Sequence, residues 1–211
     1  MDEPTDDASA WVPVGAGLTG LRRAAQECRG CELWREASRA VFGEGPRDAR
    51  LMLVGEQPGD REDTEGRPFV GPAGHLLDRA LTEVGLERAE VYVTNAVKHF
   101  RWEQRGKKRI HRKPDLAHVR ACDPWLREEL RVVAPRVVLL LGATAGQAVL
   151  GSGFRVTRDR GRFLDAPIDA LVTATVHPSS ILRIRGSQER SDAFEGFVAD
   201  LRSAATAASE D

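Results

Sequence analysis

The sequence predicts an α/β fold, a parallel sheet covered by helices on both faces. Two observations predict it: four short apolar runs with the length of buried strands, and amphipathic helical patterns in the intervals between them. The runs are "LMLVG" (51–55), "VYVTN" (91–95), "VVLLLG" (137–142) and "ALVTATVHP" (170–178). In "AGHLLDRALTEVG", Leu76, Leu77, Ala80, Leu81 and Val84 fall on one helical face, and Gly85 closes the helix. A second helix starts near Asp115 as N-cap, with Val119, Cys122, Leu126, Leu130 and Val133 at helical spacing. A third, "SDAFEGFVADL", opens at Ser191 and ends the fold.

The chain has 211 residues, enough for one sizeable α/β domain, expected over 19–203. The acidic start "MDEPTDDASA" and the end "SAATAASED" are small and polar, so 1–18 and 204–211 are expected to be disordered tails. No apolar run approaches the ~20 residues of a membrane span and no signal sequence opens the chain, which predicts a cytoplasmic, bacterial protein, nucleoid-associated when bound to DNA. Nothing suggests more than a monomer. The net charge is −1, so attraction to nucleic acid must come from local clustering. Residues 105–113 supply it, with six bases (Arg105, Lys107, Lys108, Arg109, Arg112, Lys113) and no acid around His111.

In parallel sheets the ligand sits at the carboxyl ends of the strands. The loops there are "GEQPGDRED", "NAVKHF", "GATAG" and "HPSSILR". The first belongs to a stretch, "VGEQPGDREDTEGRPFVGPAG", with five glycines and three prolines in 21 residues. Loops of this length are uncommon unless they form a site. Glu56 and Asp60 offer general-base or electrostatic groups there, and Phe69 a stacking face. His177 ends its strand, Pro178 breaks it at once, and the imidazole faces the same crevice as Glu56. Ile181 and Leu182 beside Arg183 form an apolar wedge next to a positive charge, suited to entering a base stack.

"CRGC" (28–31) has metal-ligand spacing, and Cys122 supplies a third thiol. The residues alone leave His118 and His99 in competition for the fourth position. Three Cys and one His suit Zn²⁺ as well as a [4Fe–4S] cluster.

Taken together, "GEQPG", "GRPFVGPAG", "TNAVKHF", "LLLGATA" and "HPSS" resemble, in order, the motifs of the uracil-DNA glycosylase superfamily, and most closely its iron–sulfur branch with the family 4 enzymes. The resemblance covers roughly 21–202. The "GKKRIH" insert brings it closest to the UdgX class, whose members become covalently attached to their DNA. It implies an α/β/α sandwich around a four-stranded parallel sheet. Glu56 and Asp60 would stand in the catalytic loop, with Gly55 and Gln57 against the base. Phe69 would stack on uracil, Asn95 would bond its edge, and His177, beside Ser179, would bind its O2. The same resemblance picks His99 as the ligand beside Cys28, Cys31 and Cys122 of a [4Fe–4S] cluster. Ordinary family 4 members carry alanine in place of Gln57 and cysteine in place of His99.

The expected partner is uracil-containing DNA, single-stranded or with the nucleotide flipped from the duplex. Loss of uracil leaves an oxocarbenium-like C1′, and His111, placed there with help from Arg109, would capture it as a nucleophile. Two other expectations compete: a multiple-turnover glycosylase whose basic loop only grips phosphate, and a non-enzymatic iron–sulfur DNA-binding module.

Overall fold

The structure is a computed structural model, and it describes residues 7–210. Helix α1 (Leu18–Ala25) precedes strand β1 (Leu51–Gly55), which is followed by α2 (Asp60–Glu65) and α3 (Pro72–Glu83). Strand β2 (Tyr92–Asn95) leads into a hairpin of β3 (Trp102–Arg105) and β4 (Lys108–His111), then α4 (Leu116–Val133). Next come β5 (Val137–Leu141), α5 (Ala143–Leu150), the short α6 (Val156–Asp159) and β6 (Phe163–Leu164). The fold ends with β7 (Leu171–Thr175), α7 (Pro178–Leu182) and α8 (Ser187–Ser209).

The main sheet has the order β2-β1-β5-β7-β6. Its four expected strands are parallel, and a fifth, β6, pairs antiparallel with the edge of β7. Two residues are too short a run to show a strand pattern in sequence. The parallel strands are apolar at successive positions because both faces are covered. Leu51, Leu53, Val93, Val137 and Leu139 pack with Leu77 and Leu81 of α3 and with Phe194, Phe197 and Leu201 of α8. Met52, Val54, Tyr92, Val138 and Leu140 point the other way, against Leu126 and Val133 of α4 and Ala145 and Val149 of α5. A third cluster joins Leu21, Ala25, Cys28, Phe42, Val97, Cys122 and Trp125 beside the sheet.

Most of the expected C-terminal tail is helix. Helix α8 begins at Ser187 and continues to Ser209, with Ala204, Ala207 and Ala208 buried in the core. The alanines among the small residues that suggested a disordered end are strong helix formers, and they line one packed face. At the other end, residues 1–6 of the expected tail lie outside the described residues. The chain is tied down at Ala8, which is buried and donates its N–H to Ala121 O at 2.8 Å.

The basic insert is a β-hairpin, with pairs Trp102↔His111, Glu103↔Ile110, Gln104↔Arg109 and Arg105↔Lys108. Its turn has Gly106 at φ +57°, which glycine adopts without the steric cost other residues bear. Strand alternation sends Arg109 and His111 to one face of β4 and Lys108 and Ile110 to the other. Arg109 thereby meets Asp60 and Asp63 of α2, and His111 meets Gln57 in the loop after β1.

Candidate active site

The carboxyl ends of β1, β2 and β7 open on a cavity of about 380 Å³ whose lining includes Gln57, Phe69, Asn95, His111, His177 and Arg183. Its floor depends on Gly55. A Cβ there would stand 2.4 Å from Asn95 Oδ1 and 2.5 Å from Phe69 Cζ, so only glycine lets both approach. Asn95 is 2% exposed, and its Oδ1 is buried with no hydrogen-bond partner among the described residues. A buried acceptor left unpaired costs about 1–3 kcal/mol, which a ligand N–H in the cavity would recover. Phe69 lies 5.9 Å from the His177 ring, centroid to centroid, and has φ +55°. Such a backbone in a non-glycine residue is strained and must be held by its surroundings.

The holder is Glu62, on α2. This buried carboxylate accepts the N–H of Gly59 at 3.1 Å and of Gly71 at 2.7 Å, tying the loop after β1 to the loop that carries Phe69. The sequence reading missed it. Its signal was present, a glycine N-cap with Glu at the third helical position, as in a capping box.

His177 Nδ1 accepts the Ser179 N–H at 3.2 Å and lies 2.9 Å from Ser179 Oγ. The neutral ring therefore carries its proton on Nε2, a donor. Burial, then the neighbouring His111 and Arg183, push its pKa down to about 4, so it is neutral at pH 7. Ile181 is buried in the core and is no wedge, whereas Leu182 is exposed and lines the cavity with Arg183.

His111 reaches the cavity from β4. Its Nε2 is 3.0 Å from Gln57 Nε2 and 3.5 Å from Glu56 Oε1. Burial, only partly offset by Glu56, lowers its pKa, which favours the neutral imidazole. The other Glu56 oxygen takes the Thr144 hydroxyl at the start of α5. Gln57, expected against the base, is turned instead to the hairpin. Its Oε1 accepts Arg101 N–H at 3.1 Å, while its Nε2 faces Arg112 O at 2.9 Å and Arg101 O at 3.2 Å as well as His111. An amide has two hydrogens for these three acceptors. The longest contact, to Arg101 O, is the one to yield, leaving His111 Nε2 as an acceptor with its ring proton on Nδ1.

Arg109, expected to face DNA, is an internal anchor. It bonds Asp60 and the fully buried Asp63, each at 2.6 Å, and lies 5.5 Å from the Phe100 and Trp102 ring centroids. Asp60 lines the cavity with its carboxylate so engaged. Arg105 and Arg112 pair with Glu103. Of the six bases expected on phosphate, Lys107, Lys108 and Lys113 are those without an ion pair among the described residues.

Cys28 and Cys122 are buried in one cluster, and Cys31 packs against it. Trp125 Nε1–H donates to Cys28 Sγ at 3.3 Å and Lys98 N–H to Cys122 Sγ at 3.2 Å. His99 is the next residue after Lys98, and burial pushes its pKa down to about 4, which keeps it neutral. His118 is committed elsewhere, with Nδ1 accepting Asp115 N–H at 3.0 Å and Nε2 at 2.7 Å from Glu32. Among the described residues, no three His, Cys, Asp or Glu side chains form a group able to hold a single metal ion.

The site is thus a cavity at the carboxyl ends of a parallel sheet, lined by a buried amide and a neutral histidine donor. The chain belongs to the uracil-DNA glycosylase superfamily, whose family description, "Uracil DNA glycosylase superfamily", matches residues 42–202. It is 37% identical to a type-4 uracil-DNA glycosylase of Thermotoga maritima over 78% of this chain and 83% of that one. Type-4 enzymes of Sulfurisphaera tokodaii (34%, covering 78% and 76%) and Pyrobaculum aerophilum (33%, covering 79% and 85%) are similar too.

Proposed function

We propose that the protein excises uracil from DNA and then holds the abasic sugar covalently on His111, as in the UdgX class. The observation that carries the first half is the unpartnered Asn95 Oδ1 in the cavity. It matches the uracil N3–H, with the amide N–H₂ left for O4, and cytosine reverses that pattern. Phe69 supplies the stacking face. His177 Nε2–H meets O2, where charge collects as the N1–C1′ bond breaks and its electron pair leaves with uracil.

The second half rests on His111 sharing the cavity with Asn95 and His177. The lone pair of His111 Nε2 forms the new bond to C1′, and Gln57 returns its hydrogen to Arg101 O as this happens. The Nδ1 proton then leaves to solvent, reached through the half-exposed side chain. Glu56, 3.5 Å from Nε2, stabilises the positive charge that passes from sugar to imidazole. The second reading is a multiple-turnover enzyme with water in the nucleophile's place, favoured by the type-4 names of its relatives. A denaturing gel of protein mixed with uracil-containing single-stranded DNA separates the two. A shifted band is expected; free protein with cleavable abasic DNA supports the second reading, and unmodified DNA contradicts both.

A [4Fe–4S] cluster held by Cys28, Cys31, His99 and Cys122 fits the donor set, three thiols of one side-chain cluster, two of them with N–H···S bonds, and a neutral imidazole. Bound there, it would cross-link the N-terminal segment to α4 and the end of β2, a structural contribution. Purified protein is expected to be brown with stoichiometric iron and sulfide, and Cys28→Ala to lose both colour and stability. Colourless protein with one zinc per chain contradicts the assignment.

DNA capture is expected to weaken with salt through Lys107, Lys108 and Lys113. Each phosphate contact contributes about −0.7 to the log–log slope on single strands. Replacing Lys107 and Lys108 by Ala should flatten the slope by about 1.4 with uracil preference kept. An unchanged slope means that the hairpin does not meet phosphate.

A further inference from the structure

Beneath the cavity, the end of β2 rests on a buried ion pair for which the chemistry above has no use. The Lys98 and Glu129 side chains are 1% and 0% exposed, and Lys98 Nζ meets Glu129 Oε2 in a short contact. Lys98 spends its other two hydrogens on Thr94 Oγ1 at 2.9 Å and on the Asn95 carbonyl at 2.6 Å. Glu129 also accepts the hydroxyls of Thr94 and Tyr92, each at 2.9 Å, and the Gly43 N–H at 3.0 Å. Tyr92, Thr94 and Asn95 are thus three of the four residues of β2, all fastened to one pair.

Stability alone does not call for this arrangement. Burying two charges costs several kcal/mol of desolvation, and well-packed apolar residues of like volume often serve a fold as well or better. What the pair adds is direction. Asn95 Oδ1 has no partner of its own, so nothing polar holds that oxygen from the cavity side. Its aim is inherited from the carbonyl clamped by Lys98 and from packing against Gly55 and Phe69.

We propose that Lys98 and Glu129 are positioning residues that fix the Asn95 amide in the orientation that accepts uracil and rejects cytosine. The proposal rests on the reading of Asn95 given under Proposed function. An unclamped amide can turn, present its N–H₂ where its oxygen stood, and so lose part of its preference along with its rate.

The test compares the intact, cluster-loaded protein with Lys98→Met/Glu129→Gln, which removes both charges and keeps volume and the acceptor toward Tyr92 and Gly43. Single-turnover excision is measured on single-stranded DNA carrying uracil or cytosine, with melting temperature, iron content and DNA affinity followed in parallel. The folded double variant should bind DNA as wild type does, excise uracil about 10- to 100-fold more slowly and narrow the uracil-over-cytosine preference by about tenfold. A merely structural pair would move melting temperature and leave the preference alone. Wild-type rate and preference in the folded double variant overturn the proposal. Should that variant not fold, Thr94→Val decides, because it keeps the pair and removes one of its three ties to β2, the hydroxyl next to Asn95. A smaller loss in the same two readouts supports the proposal, and no change in either overturns it. Asn95→Ala is run beside them: if its rate and preference equal those of wild type, the reading of Asn95 itself has failed.

Discussion

His111→Ala is expected to abolish the covalent adduct while leaving the fold and the uracil cavity in place. The side chain is half-exposed on the hairpin, so its removal opens no buried void. Proximity is what the wild-type imidazole contributes, since a group held against C1′ has an effective molarity of about 10⁵ M or more, far above that of water. Without it the sugar cation is left to water entering the vacated space, and slow release of uracil with free protein is the expected product pattern. The pH dependence has a definite sign. Only the neutral imidazole has a free lone pair, and burial lowers the His111 pKa below its ordinary value of 6.5. Adduct formation should fall in acid solution as His111 protonates, at a lower pH than for an ordinary imidazole. Denaturing gels of single-turnover reactions across pH read both effects. Undiminished adduct in His111→Ala would contradict the assignment of the nucleophile.

Arg109→Ala is expected to produce the second large effect, on stability and on capture together. The guanidinium bridges Asp60 and Asp63, and Asp63 is fully buried, with two contacts from Ser38 N–H at 2.9 and 3.1 Å as its remaining bonds. Removing one partner of a buried pair leaves an uncompensated charge, worth about 3 kcal/mol of stability. The hairpin would also lose its tie to α2, so His111 would spend less time at C1′, and adduct formation should fall further than uracil release does. Arg109→Lys should recover only part, because an ammonium lacks the fork that reaches two carboxylates. Urea melts paired with single-turnover gels test this. Equal loss of capture and release would mean that Arg109 only stabilises the fold.

The sheet and the strand-end residues were legible in the sequence because burial on both faces writes a continuous apolar run. Asn95 and His177 sit where such runs stop, and Asp115 marks the start of α4 as its N-cap pattern suggests. The hairpin was not legible as a hairpin. "WEQR" and "KRIH" hold one apolar residue each, too few for a period of two to show. Helix α2, "DREDTE", was hidden in a long loop for a similar reason, having no apolar face to betray it. Charge likewise gives no hint of burial: Asp63, Lys98 and Glu129 are charged, and all three are inside. Pairing across long sequence separations put them there, and a single sequence does not display it. Arg109 was expected in two roles, on DNA and as a support for the reactive loop, and its bonds to Asp60 and Asp63 favour the support.

The central claim is that His111 becomes bonded to the C1′ of the abasic sugar. It is tested most directly by mass spectrometry of peptides from the protein–DNA adduct after nuclease digestion. The sugar remnant is predicted on the peptide containing His111, on the imidazole, with or without borohydride in the reaction. A remnant on Lys107, Lys108 or Lys113, trapped only when borohydride is present, would indicate a Schiff base and contradict the account.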